Sequence, residues 1–221
     1  MGLVVQDVAT KRYCLGSFAL ELGLSELQSL DPIALALDAL RELRFELGQT
    51  VALSVWGSRG PTVIRVLRTD VPLHATLFEG VTLPVRTTAT GRVFAAFMPQ
   101  QVVEQALTLE GQEPGAGGKF VRAVEEVRRN FIARICDSPI PGLVSLSAPV
   151  FNHSGGLVCA LTVTGKKGDY DDAADGTAVK ALVNKVRALS KRLGMPSRSE
   201  IQTSSATQAP GAKRTRQPRL G

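Results

Sequence analysis

Four small hydroxyls, Ser145, Ser147, Thr162 and Thr164, alternate along two apolar runs bounded by Gly142 and Gly165 and separated by Asn152-His153-Ser154-Gly155-Gly156. Apolar runs around such a loop read as a β-hairpin, and the period of two places the hydroxyls on one face. Pairing the strands symmetrically about His153 and Ser154 sets Ser145 opposite Thr162, Ser147 opposite Ala160 and Leu143 opposite Thr164. Val144, Leu146, Ala148 and Val150 then meet Val163, Leu161, Cys159 and Leu157 on the other face. A hydroxyl-bearing face has two readings. It is a solvated sheet surface, or it is the floor of a small-molecule pocket where a few hydroxyls among apolar neighbours orient a ligand.

The second place with chemistry is the run from Gly80 to Pro99, where an extended Leu83-Pro84-Val85 enters a Thr-rich turn and then a short helix through Gly91, Val93 and Phe97. Thr87, Thr88 and Thr90 can cap such a helix. The N–H groups left over at its start favour an anion such as a carboxylate; alternatively the threonines do nothing but cap.

Catalytic constellations are absent from the sequence. His74 and His153 are the two histidines, and neither stands at metal-ligand spacing with a Cys or carboxylate. There is no Gly-x-Ser-x-Gly elbow, no phosphate-binding loop and no dinucleotide fingerprint, and the glycines of Gly111 to Gly118 read as a linker between helices. A hydrolase built on Ser145 or Cys136 would lack a base. Asp169, Asp171, Asp172 and Asp175 read as helix N-terminal charge. No cofactor or metal is expected.

The elements that must position these residues follow from periodicity. Residues 3 to 15 alternate like a hairpin with nothing around it to pack against, and Phe18 to Leu30 reads as a helix. Asp31 and Pro32 then serve as N-cap and first residue of a helix whose apolar stripe is Ile33, Leu37, Leu40, Leu43 and Leu47, with Gly48 past its end. Strands are expected at Thr50–Trp56 and Thr62–Thr69, with a weaker extended stretch from Leu73 to Phe78. Helices follow at Gln100–Leu109, from Phe120 to near Cys136, and from Val179 to Leu193, the last stopped by Gly194 and Pro196. Antiparallel strands with helices packed on them make an α+β fold with one central sheet.

With 221 residues, 44% hydrophobic and 21% charged, the composition is that of an ordinary globular protein. No apolar run reaches membrane-spanning length and no signal-peptide pattern opens the chain, so a cytoplasmic location is expected and no membrane partner. Cys14, Cys136 and Cys159 at unrelated spacings agree with a reducing compartment. Of the net charge of +6, residues 196–221 carry +4, from five basic side chains against one acidic, so the body is nearly neutral. That segment, rich in Ser, Thr, Gln, Pro and Gly, is expected to be a disordered basic tail.

Five short motifs in order resemble the IclR-type transcriptional regulators. They are Tyr13-Cys14-Leu15-Gly16 with Leu22-Gly23; Gly48-Gln49-Thr50-Val51-Ala52-Leu53; Leu83-Pro84 with Thr88-Ala89-Thr90-Gly91-Arg92; Gly142 with Ser147-Ala148-Pro149-Val150-Phe151; and Leu161-Thr162-Val163-Thr164-Gly165. The resemblance implies a GAF-like effector-binding domain over residues 17–195, assembling as a homodimer or homotetramer. Residues 1–16 would be the remnant of the wing of a DNA-binding domain. By position it implies effector contacts from Leu83, Ala89, Thr90, Ser145, Thr162 and Thr164 to a small, anionic metabolite. DNA would be read only through a winged helix-turn-helix that this sequence does not contain, through truncation or loss. The alternative is a sensory module that acts through a protein partner without DNA. Two departures from the family pattern stand out: Arg92 replaces the usual Lys, and the acidic and Gly-Tyr positions before the hairpin are replaced around Phe131 to Ser138. Ligand identity therefore does not transfer.

Overall fold

A computed structural model describes residues 2–8, 10–19, 21–22, 31–69, 77–112 and 118–195. The expected helix from Phe18 to Leu30, the stretch from Leu73 to Phe78 with His74, and the tail from 196 lie wholly or largely outside the described residues.

The start of the chain forms the expected hairpin, β1 (Val4–Gln6) against β2 (Tyr13–Leu15), as a two-stranded sheet whose six residues are all exposed. Next comes α1 (Pro32–Leu47). Asp31 accepts hydrogen bonds from the Ile33 and Ala34 N–H groups at 2.9 and 3.2 Å, and Gly48 ends the helix at φ 63°, a left-handed conformation that glycine adopts without penalty. β3 (Thr50–Gly57) and β4 (Gly60–Leu67) are joined by two residues, Ser58 and Arg59, a tighter connection than the five-residue turn expected. Then follow α2 (Ala89–Phe97), α3 (Gln100–Leu109), α4 (Gly118–Asn130), β5 (Ala133–Cys136), β6 (Leu143–Phe151), β7 (Leu157–Lys166) and α5 (Thr177–Arg192).

The main sheet is antiparallel throughout, in the order β4-β3-β7-β6-β5. Its apolar face, with Leu53, Leu146, Leu161 and Val163, packs on α1 and α5 through Leu40, Leu43, Leu182 and Val186. The opposite face is covered by Val93 and Phe94 of α2, Val103 and Leu107 of α3, and Val124 and Val127 of α4. The fold is therefore α+β, with helices on both faces of one sheet.

Two expectations are corrected. The helix expected to reach Cys136 stops at Asn130, because Phe131 adopts φ +56° and breaks the helical path; Ala133–Cys136 is instead the edge strand β5. The central hairpin pairs two residues out of the expected register, Ser145 with Thr164, Ser147 with Thr162 and Leu146 with Val163. One residue of the shift comes from a loop centred on Ser154, where the Asn152 carboxamide oxygen accepts from the Ser154 and Gly156 N–H groups. The other comes from an irregularity beside Val150 and Phe151, which leaves Val158 without a partner across the ladder. A shift of two preserves the face of the residues from Cys159 to Thr164, whereas Leu157, on the loop side of the irregularity, pairs with Phe151 and turns to the face covered by α2.

Candidate functional site

The hydroxyl face does not meet bulk water. Ser147 is fully buried and Thr162 and Thr164 are nearly so, because α2 lies across this side of the sheet. Between the start of α2, the ends of β6 and β7 and the returning segment 138–140 lies a cavity of about 200 Å³. All six residues expected at a site, Leu83, Ala89, Thr90, Ser145, Thr162 and Thr164, line it.

The hydroxyls form two sets. Thr162 Oγ1 donates to Ser147 Oγ at 2.9 Å and stands 2.8 Å from Thr90 Oγ1. A threonine has one hydroxyl hydrogen, so Thr90 is the donor to Thr162, and both protons are spent within the fold. Thr162 is thus a clamp between α2 and the sheet, with its one proton engaged by Ser147. Ser145 Oγ and Thr164 Oγ1 are 3.0 Å apart. One of them donates to the other, which leaves the pair one proton for a ligand.

The helix start is placed by a steric requirement. A Cβ on Gly91 would lie 2.4 Å from the carbonyl oxygens of both Pro84 and Val85, so the extended segment and the first turn of α2 can approach only at glycine. Thr88 Oγ1 donates to Pro84 O at 2.6 Å and accepts from Gly91 N–H at 2.9 Å. That cap serves the third N–H of the helix; those of Ala89 and Thr90 have no intrahelical acceptor. Among the described residues no charged side chain lines the cavity.

Sequence reasoning missed other lining residues, among them Ala52 and the segment 138–140. Ala52 lies opposite Thr162 on β3 and shares its face, a position that strand alternation could have supplied once β3 was known to pair with β7. Ser138, Pro139 and Ile140 reach the cavity from a loop pinned by Asp137, whose carboxylate accepts from Gly142 N–H at 2.8 Å and meets Lys167 Nζ at 3.0 Å. No local pattern foretells that return. The Gly142 N–H, with Cys136 and Lys167, holds the Asp137 carboxyl down at about 2, and the same hydrogen bond from Cys136 to Asp137 pushes the Cys136 thiol up. A thiol so placed is a poor nucleophile.

Other candidates have structural partners. Asp171 accepts from Thr177 N–H at 3.1 Å at the start of α5, and Asp172 pairs with Arg134. His153 is exposed in the hairpin loop. Among the described residues no group of His, Cys, Asp or Glu is arranged to hold a metal, and no helix is long and apolar enough to cross a membrane.

Helices on both faces of an antiparallel sheet, with a small polar cavity under one of them, define the class as a compact α+β domain. Residues 24–192 match the family described as bacterial transcriptional regulator IclR, C-terminal, and the chain belongs to that family. It is 31% identical over 202 residues to a glycerol operon regulatory protein of Streptomyces griseus, covering 87% of this chain and 78% of that one. It is 26% identical to the HTH-type transcriptional regulator XynR of Escherichia coli, covering 88% and 80%. Among solved structures, HmgR of Pseudomonas aeruginosa superposes with a TM-score of 0.79 at 36% identity, covering 88% of this chain and 79% of that one.

Proposed function

We propose that the chain is the ligand-sensing and oligomerisation part of a transcriptional regulator that works in the cytoplasm. It would bind a small anionic metabolite in the cavity at the start of α2 and reach DNA through a winged helix-turn-helix outside this sequence. The observation that carries the reading is the convergence in one cavity of two uncapped helix N–H groups and the spare proton of the Ser145–Thr164 pair. A volume of about 200 Å³ lies below the range of drug-sized sites, roughly 300–1,000 Å³, which favours a ligand of few heavy atoms. A role for Cys136 or Ser145 as an enzymatic nucleophile is disfavoured by the raised thiol and by the serine's threonine partner.

The competing occupant is a small neutral polyol, which the hydroxyl lining and the absence of a lining cation among the described residues would also accept. The test is a thermal-shift screen of two- to six-carbon carboxylates and polyols on the parent chain and on Thr164→Val and Ser145→Ala. A carboxylate should stabilise the parent, and each variant should weaken it by roughly tenfold, the value of a hydrogen bond to a charged group. Stabilisation by polyols alone would replace the anion with a neutral ligand; equal responses from parent and variants would remove the cavity from the reading.

A further inference from the structure

A larger cavity, of about 550 Å³, lies beyond the edge strand β5, walled by α4 on one side and α5 on the other. Its floor is apolar, with Ile132, Ala133 and Leu146, and its rim is charged. Arg134 is spoken for, since its guanidinium meets the Asp172 carboxylate. Arg92, Lys180 and Arg187 are not: none of the three is paired with a carboxylate of a described residue. Against them stands Glu126, so these four unpaired groups sum to two positive charges.

Arg92 is the least expected of them. It follows Gly91 in the first turn of α2, half-buried, and its Nε donates to Arg86 O at 3.4 Å, a long hydrogen bond that leaves the guanidinium fork uncommitted. Burial lowers its pKa, opposed by Glu126. A half-desolvated guanidinium without an ion-paired carboxylate is costly, and a bidentate oxyanion is the partner guanidinium geometry favours. Lys180 and Arg187 are two turns apart on α5 and line the same cavity. Three cations around an apolar floor fit an anion with several charges and a short carbon body.

We propose that this cleft is a second ligand site, separate from the cavity at the start of α2, and that it takes a multiply charged oxyanion on Arg92, Lys180 and Arg187. The full chain is titrated with citrate and with inorganic phosphate, by calorimetry and thermal shift, against sodium chloride at equal ionic strength. At least one oxyanion binds below about 1 mM, and the two arms tell whether a carbon body is needed. Lys180→Glu and Arg187→Glu, both at exposed positions, each weaken that binding about tenfold. Arg59→Glu, in the β3–β4 turn, leaves it unchanged, and Glu126→Gln strengthens it. The proposal is overturned if neither anion binds in that range, if chloride stabilises equally, or if Lys180→Glu and Arg187→Glu behave like Arg59→Glu. It is also overturned if Thr164→Val abolishes the binding, since the anion then occupies the first cavity. Failure here leaves the reading of that first cavity intact, because the carboxylate screen probes it with different variants.

Discussion

Thr162 sits where three elements meet, and its hydroxyl serves Thr90 of α2 and Ser147 of β6 at once. Thr162→Val keeps the shape and removes both hydrogen bonds. Thr90 lines the cavity and can turn to water, but Ser147 is wholly buried and loses the donor it accepts from. An unsatisfied buried hydroxyl costs about 1–3 kcal/mol, and chemical denaturation of the variant should show a loss of that size. Thr164→Val should cost less, because its partner Ser145 is only half-buried and can find another acceptor. If the two variants have equal stabilities, the clamp assigned to Thr162 is wrong. Gly91→Ala makes a second prediction at this scale. The contacts it would create are with backbone, which cannot swing aside, so the cost should reach the upper end of the overpacking range, about 3 kcal/mol. A parent-like unfolding midpoint would contradict it.

At the scale of elements, the segment from Asp137 to Gly142 brings Ser138 and Ile140 to the cavity, and one carboxylate holds it. Asp137 titrates at about 2 in the folded chain against an ordinary 3.8. A depressed carboxyl adds stability that is present above its unfolded pKa and lost as pH falls through the folded one. The loop should therefore loosen between about pH 4 and pH 2. Asp137→Asn retains the side-chain shape and tolerates the positive φ of 57° found there. It should flatten that acid limb in a pH series of thermal midpoints; an unchanged limb would assign the acid sensitivity to other groups. This loop also marks the limit of what the sequence discloses. Faces were legible because alternation survives a shift of two, so Ser145, Thr162 and Thr164 were correctly grouped although each was given the wrong partner. The register was hidden half by the centring of the loop on Ser154 and half by the irregularity at Val158, which has no residue signature. The edge strand β5 was hidden because Ala133-Arg134-Ile135-Cys136 follows a helical pattern without a glycine or proline between them. The reach of 138–140 depends on a hydrogen bond between side chain and backbone that periodicity cannot express.

At the scale of the whole molecule, several large apolar side chains of the described residues stand exposed on the first hairpin and on α1. On the first hairpin Val4 is 55% exposed, Tyr13 73% and Leu15 80%, and on the outer side of α1 Phe45 is 91% exposed. A two-stranded hairpin is marginal by itself in water, and a contiguous apolar patch is commonly an interaction surface. The chain is therefore expected to self-associate. Sedimentation at about 50 µM should show a dimer or larger species, since even an association with a Kd near 1 µM, worth about 8 kcal/mol, would be nearly complete there. Two charge substitutions separate the possible contacts. Leu15→Lys should release monomer if the hairpin is the interface, and Phe45→Lys if α1 is. Neither side chain is buried in the single chain, so both variants should unfold at the parent's midpoint apart from the contribution of association itself. A clean monomer of the parent at this concentration would assign both patches to a partner other than a second copy.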